Sequence, residues 1–336
     1  MTDLTFEKAI QECCGKEKHL LLGNGFSINF DPSFNYPNLL SRSNLHVKIK
    51  DIFNKQGDYE QVIDRLNYSS KVFNAINEYS LAKRFSNLAK DLKRDLVTTI
   101  TKIQSKVHND DNRNHNTLKF ISNFNNIFTL NYDLLLYWVI MYAVNFYHED
   151  LFGYKNYVKN PDFYPRDGFA NNPNGDDCIW EKDKWEQNVF YLHGGLHLFY
   201  DSQNTYKLIS DRNNNQSISD KTIFLLTRGI SPLVITEGNS KDKKFWIEQN
   251  NYLQYCYNKL SEISGVLFIH GHSLDKKDKH IFDAINDNPN IQEIYISVHK
   301  DTETLDDKKK LAKERLKMFY SLRRLRYYDA DSANIW

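Results

Sequence analysis

The chain has 336 residues, with 44 Lys and Arg against 43 Asp and Glu, a formal net charge of +1. That balance argues against a basic nucleic-acid-binding surface and against an acidic tail, and the length suits one α/β domain carrying an insertion. Mean hydropathy is low, −0.64, yet 14% of residues are aromatic, too many for a disordered chain.

Residues 3–16 have the spacing of an amphipathic helix. "HLLLGNG" (19–25) is a short continuous apolar run ending in glycine, the pattern of a strand buried on both faces. From 43 to 120 no strand-like run occurs. Val62, Leu66, Phe73, Ile76, Leu81, Phe85, Leu88, Leu92, Leu96, Ile100 and Ile103 recur at helical spacing, which predicts a helical module inserted after the first strand. "NIFTLNYD" (126–133) reads as a strand followed by an apolar helix. The segment 149–188, rich in Gly, Asn and aromatics, reads as an irregular insertion near the active face. "VFYLHG", "PLVITEG" and "GVLFIHGHS" read as strands, with a helix over about 242–262 between the last two. "DKHIFDAIND" reads as a helix, "IQEIYISVH" as a strand, and "DDKKKLAKERLKMFYSLRRL" as a final helix. This alternation predicts a parallel sheet with helices on both faces.

Cys13, Cys14, Cys178 and Cys256 form no C-x-x-C pair, so no zinc knuckle is expected, and scattered thiols suit a reducing cytoplasm. "MTDLTFEKAIQECC" lacks a basic region followed by an apolar run, and no stretch approaches a membrane span. A cytoplasmic protein without membrane association is the expectation.

Four strand ends carry polar or glycine signatures: "GNGFS" (Gly23–Ser27), "TLNYD" (Thr129–Asp133), "LHGG" (Leu192–Gly195) and "GHSL" (Gly271–Leu274). Open parallel sheets bind ligands at the carboxyl ends of their strands. In "GNGFS", glycines let the backbone approach a phosphate, with N–H groups aimed at it; a plain strand-exit turn explains the pattern equally. Asp133 fits an N-cap for the following helix, which leaves Asn131 unexplained. His193 and His197 are four apart, but Gly194 and Gly195 between them disfavour the helix that would align them on a metal. A core histidine and a catalytic imidazole beside glycines are the other readings of His193. Gly271 and Ser273 read as a second phosphate or ribose turn, or as a helix start capped by Ser273. Glu237 ends another expected strand without a role.

Taken together and in this order, the four signatures resemble the sirtuin-type NAD-binding fold, with its G-A-G-x-S turn, T-Q-N-x-D strand end, catalytic L-H-G and G-T-S. "LLGNGFSINF", "ITEGNSKDKKFWIEQNNYLQYC" and "GHSLDKKDKHI" resemble bacterial sirtuin-like proteins, a broad group with NAD-consuming members in anti-phage defence. The resemblance implies a Rossmann-like α/β sheet and NAD as substrate, with the two glycines after His193 letting the ribose come close; no metal is expected, because this chain lacks a zinc-binding cysteine set. It implies catalytic roles for Asn131, which would orient the nicotinamide ribose or a water, and for His193. Gly23, Asn24, Gly25 and Ser27 would cradle phosphates, Gly271 and Ser273 would close the other side, and Asp133 would contact nicotinamide. The sirtuin zinc-binding cysteine quartet and D-F-R segment have no counterpart, which argues against a peptide-deacylase groove. The expected activity is hydrolysis of NAD to nicotinamide and ADP-ribose, held in check by homo-oligomerisation or by a partner such as a HerA-type ATPase. A non-catalytic NAD or ADP-ribose sensor is the alternative. ADP-ribosyl transfer, deacylation and a DNA-acting effector subunit rank below it.

Overall fold

A computed structural model of the chain describes residues 4–35, 38–39, 51, 59–104, 111–173, 177–182, 186–209, 218–236, 238–299, 302–317, 319, 322 and 324–336. Its centre is a six-stranded sheet: β1 (Lys18–Leu22), β2 (Asn126–Thr129), β5 (Val189–Tyr191), β8 (Gly265–His270), β9 (Ile291–Val298) and β10 (Leu325–Asp329). The order is β10-β9-β8-β1-β2-β5 and every pairing is parallel. Leu20, Leu21 and Leu22 of β1 are fully buried, as a central strand covered on both faces requires. Their partners are Ile127, Phe128 and Thr129 on one side and Phe268, Ile269 and His270 on the other. The α/β class expected from the alternation is the class observed.

The chain enters the sheet at β1, builds outward through β2 and β5, then returns to the far side of β1 and builds outward through β8, β9 and β10. The direction of growth therefore reverses between β1 and β8. At such a switch point, crossover connections diverge and leave a crevice at the carboxyl ends of the strands.

Helices cover the sheet. Phe6 of α1 (Phe6–Glu12) packs its ring 4.9 Å from Phe120 on α5 (Asp111–Ile121) and 5.7 Å from Tyr328 on β10. Between α2 (Gly25–Phe30) and α5 lie α3 (Tyr59–Ala75) and α4 (Tyr79–Gln104), which pack along each other, Phe73 stacked on Phe85 at 5.2 Å. Ala89, Leu92, Leu96, Ile100 and Ile103 of α4 are buried and recur every three or four positions, one stripe of a helix, and Val97, Thr99 and Thr101 widen the buried face at its end. Residues 43–50, 52–58 and 105–110 of the expected helical module lie outside the described residues.

The segment 149–188 is more regular than its composition implies. It holds α7 (Leu151–Tyr157), after α6 (Leu135–Glu149), and two strands, β3 (Phe169–Asn171) and β4 (Cys178–Trp180). These join β6 (Leu198–Tyr200) and β7 (Thr205–Lys207) in a small antiparallel sheet of order β3-β4-β7-β6. Beyond it comes α8 (Ile218–Thr227).

Three further expectations are corrected. "PLVITEG" forms no strand among its described residues; Val234 makes a single antiparallel bridge to Gly194. The helix expected over 242–262 is two helices, α9 (Ser240–Glu248) and α10 (Asn251–Glu262), because Asn250 accepts from Leu253 N–H and caps a new start. The final helix expected over 306–325 is interrupted: α12 (Thr302–Arg315) stops at a bend at Leu316, and the chain returns as β10; α11 (Lys279–Asn286) and β9 precede α12.

Candidate functional site

A cleft of about 570 Å³ opens at the switch point, within the 300–1,000 Å³ or so of small-molecule sites. The turns after β1 (Gly23–Gly25), β2 (Leu130–Asp133) and β8 (Gly271–Ser273) line it, with His193 beyond β5 and Ser297–His299 at the end of β9. Ile100 of α4, Lys243 of α9 and Lys308 of α12 complete its walls. The four signatures read from the sequence thus meet at one sheet edge. No described residue of 149–188 lines this cleft.

The two glycine turns are built against each other. Gly23 N–H donates to His270 O at 2.9 Å and Gly25 N–H to Gly271 O at 2.7 Å. A Cβ on Gly25 would lie 2.7 Å from Gly271 Cα, and one on Gly271, whose φ is +67°, 2.6 Å from Phe26 N. Phe26 and Ser27 N–H groups bond back to Gly23 O and Asn24 O, and Gly271 N–H donates to Ser297 Oγ. The expected row of free amides is therefore spent inside the protein. Asn24 N–H alone in the first turn makes no hydrogen bond among the described residues.

Ser27 is likewise corrected. It is fully buried, does not line the cleft, and donates its hydroxyl to Asp133 Oδ2. Asp133 accepts Leu135 N–H at 2.9 Å through Oδ1, the capping role weighed for it. Burial pushes its carboxyl up, against the opposing pull of the Ser27 and Leu135 bonds. Ser273 is exposed on the cleft wall and caps no helix; Asp275 caps the short 3-10 turn Lys276–Asp278.

Asn131 is 8% exposed and lines the cleft. Its Nδ2 donates to Gly23 O at 3.1 Å and to Ser27 Oγ at 2.9 Å. These two bonds fix the amide and leave Oδ1 without a hydrogen-bond partner among the described residues.

His193 sits where the chain leaves β5 and is 4% exposed. Its Nε2 lies 3.1 Å from His280 Nε2 and 4.0 Å from Asp278 Oδ1. Its Nδ1 has no hydrogen-bond partner among the described residues. Burial, then the Lys243 charge, drives its pKa well below the ordinary histidine value, against Asp278. The glycines beside it serve the chain rather than a ligand. A Cβ on Gly194, at φ +74°, would meet Leu233 O at 2.0 Å, and one on Gly195 would meet the His197 ring at 2.7 Å. His197 is fully buried against Tyr137 and Tyr191 rings, away from the cleft lining.

Sequence reasoning missed the neighbours of His193. Lys243 is 2% exposed and sets Nζ 3.1 Å from Asp278 Oδ1. Leu274 N–H donates to His272 Nδ1 at 2.8 Å, so His272 carries its proton on Nε2 and donates to Asp278 Oδ2 at 3.1 Å. Burial alone would raise the Asp278 pKa, but His272, Lys243 and His193 outweigh it and hold the carboxyl well below its usual range. Donor atoms of His193, Asp278 and His280 lie within 4.8 Å of one another, the spacing of a metal-ligand set. Signals existed: Lys243 falls four residues before Ile247 on the buried side of α9, and "GHSLDKKDKHI" holds His272, Asp278 and His280. On the opposite wall, Lys308 Nζ donates to His272 O and pairs with no carboxylate of the described residues. Burial lowers its pKa to about 8.

Fold and cleft define an α/β protein with a ligand-sized, mixed-charge site at the switch point of a parallel sheet. The model of the family described as Domain of unknown function (DUF4917) matches residues 20–336, and the chain belongs to that family. The match spans β1 to β10 and so every turn of the cleft. No curated protein matches the chain.

Proposed function

We propose that the cleft binds NAD and hydrolyses its nicotinamide–ribose bond. The observation that carries this reading is the pairing of Asn131 and His193. They come from the ends of adjacent strands, line one cleft, and each keeps one ring or amide atom without a hydrogen-bond partner among the described residues.

Cleaving the bond builds oxocarbenium character at ribose C1, as in glycoside hydrolysis. The electron pair of the C1–N bond leaves with nicotinamide, which becomes neutral, so no general acid is required. A water oxygen bonds to C1, its proton passes to His193, and the proton is then lost to solvent. NAD and water thus give nicotinamide, ADP-ribose and one proton. A histidine held neutral by burial is in the state a base needs. Asn131 Oδ1 accepts from a ribose hydroxyl or from that water. Lys308 supplies positive charge for the diphosphate, a task the amides of the first turn, already bonded, do not perform.

The resemblance to sirtuin-like proteins supports a wider reading: a regulated NAD-consuming effector in anti-phage defence, controlled through self-association or a HerA-type ATPase. Calorimetric titration with ADP-ribose tests the site. One-site binding weakened by Lys308→Met is expected. Failure of both NAD and ADP-ribose to bind would overturn the reading, and binding without turnover would point instead to a sensor.

A further inference from the structure

Five ionisable side chains from four parts of the chain meet at the wall of the cleft: His193, Lys243, His272 and Asp278, which line it, and His280 behind them. Withdrawing such groups from water is costly, and buried ion pairs are weak stabilisers. The cluster therefore calls for a role beyond holding the fold.

A divalent cation fits the spacing but not the charge. Lys243 Nζ already lies 3.1 Å from Asp278 Oδ1, so a metal would share that oxygen with an ammonium group. The alternative is a proton network. Nε2 of His193 faces two groups, the Asp278 carboxylate at 4.0 Å and His280 Nε2 at 3.1 Å. An ionised carboxylate only accepts; it favours an N–H at that position and disfavours a bare lone pair. For His280 to accept through Nε2, its own proton must sit on Nδ1, and Ser240 Oγ lies 3.2 Å away. Ser240 Oγ also accepts His280 N–H at 2.6 Å, and a hydroxyl has two lone pairs for the two donors. The reverse chain, from the Ser240 hydroxyl through His280 to His193, would aim an unprotonated nitrogen at Asp278.

We infer that Asp278 and His280 are positioning residues that hold the His193 proton on Nε2 and so leave Nδ1 as its open acceptor. Lys243 and His272 keep Asp278 ionised. In its role for catalysis the inference rests on the hydrolase reading; in its tautomer it does not. Among the groups around His193, Asp278 favours the imidazolium that forms as water is deprotonated, whereas Lys243, His280 and His272 oppose it. An isosteric Asp278→Asn removes the favourable charge and offers a donor in its place, with little change in volume.

The test is heteronuclear NMR of histidine-labelled protein, with the His193 signals assigned by their loss in His193→Gln. The wild type should show the Nε2–H tautomer at neutral pH, and Asp278→Asn should shift it toward Nδ1–H. Losing the tautomer-fixing carboxylate of a triad costs about 10⁴ in kcat, so Asp278→Asn should lose on the order of 10²–10⁴ in kcat with little change in KM. The acid limb of its pH–rate profile should move to lower pH, and His280→Gln should fall in the same direction. An Nδ1–H tautomer in the wild type, or wild-type kcat in Asp278→Asn, overturns the inference. So does one equivalent of tightly bound zinc that is lost in His280→Gln. The Nε2–H tautomer in a protein that never releases nicotinamide upholds the positioning and sinks the hydrolase reading.

Discussion

Lys243 reaches from the buried side of α9 to set its ammonium 3.1 Å from Asp278 Oδ1, with the lysine side chain 2% and the aspartate side chain 16% exposed. The pair ties α9 to the turn before α11, beside His193. Removing one member of a buried pair leaves the other charge uncompensated, a loss of about 3–5 kcal/mol. Lys243→Met should therefore lower stability by about that amount in urea unfolding. Lys243→Met with Asp278→Asn should recover part of it, because no unpaired charge remains.

Asn131 should separate stability from activity. Its Nδ2 bonds go to groups with second partners: Gly23 O also accepts Phe26 N–H, and Ser27 Oγ also donates to Asp133. Asn131→Ala should cost only about 1 kcal/mol, the net worth of an ordinary hydrogen bond. Asn131→Asp should cost more, because its carboxylate would lie against the Gly23 carbonyl. Unfolding midpoints of the two variants check the order.

The crossing of the two glycine turns predicts a contrast between two left-handed glycines. Gly229 has φ +78° and nothing within 4 Å of an added Cβ, whereas Gly271 would press a Cβ to within 2.6 Å of Phe26 N. Gly229→Ala should show only the left-handed cost, about 1–2 kcal/mol. Gly271→Ala should lose clearly more, since backbone must move, and should disturb ligand binding too. Denaturant midpoints with an ADP-ribose titration read both effects.

Stability should fall on mild acidification. Burial depresses His19, His193 and His197, takes His270 to about 3 and, with Lys243 opposed by Asp278, takes His280 to about 4. Unfolded, each titrates near 6.5, so below that pH the unfolded chain binds protons that the folded chain refuses. His193, His197, His270 and His280 each give full stability well above pH 6.5 and cost about 1.4 kcal/mol by pH 5.5, and His19 acts in the same direction. Asp133, raised by burial, works in the opposite direction as pH falls. The lowered Asp278 gives way only in stronger acid. The histidines outnumber it, so the melting temperature should drop between pH 7.5 and 5.5; a flat or rising value would contradict their neutral burial.

The sheet was legible in the sequence because parallel strands buried on both faces read as continuous apolar runs, as Leu20–Leu22 and Val266–Ile269 do. Their polar exits marked the cleft edge. Strands of three residues such as Phe169–Asn171 carry no readable period, and the arginines around 323–326 disguised β10 as the end of a helix. The roles of Ser27 and Gly194 were not legible, since each is set by a tertiary partner distant in sequence, Asp133 and Leu233; that of Gly195 is set by the ring of its near neighbour His197, whose inward turn only the fold shows. Lys243 was hidden because a lysine on a helix reads as solvent-facing, and only the burial of α9 shows otherwise.

The central claim is that Asn131 and His193 act on one bound ribose. Nicotinamide release from NAD tests it most directly, measured for the purified chain alone and with a candidate HerA-type ATPase added, in wild type, Asn131→Ala, His193→Ala and the double variant. Residues acting as a unit are non-additive, so each single change should abolish most of the release and the double variant should be no worse than the poorer single. Release that survives both substitutions, or losses that multiply in the double variant, would contradict the account.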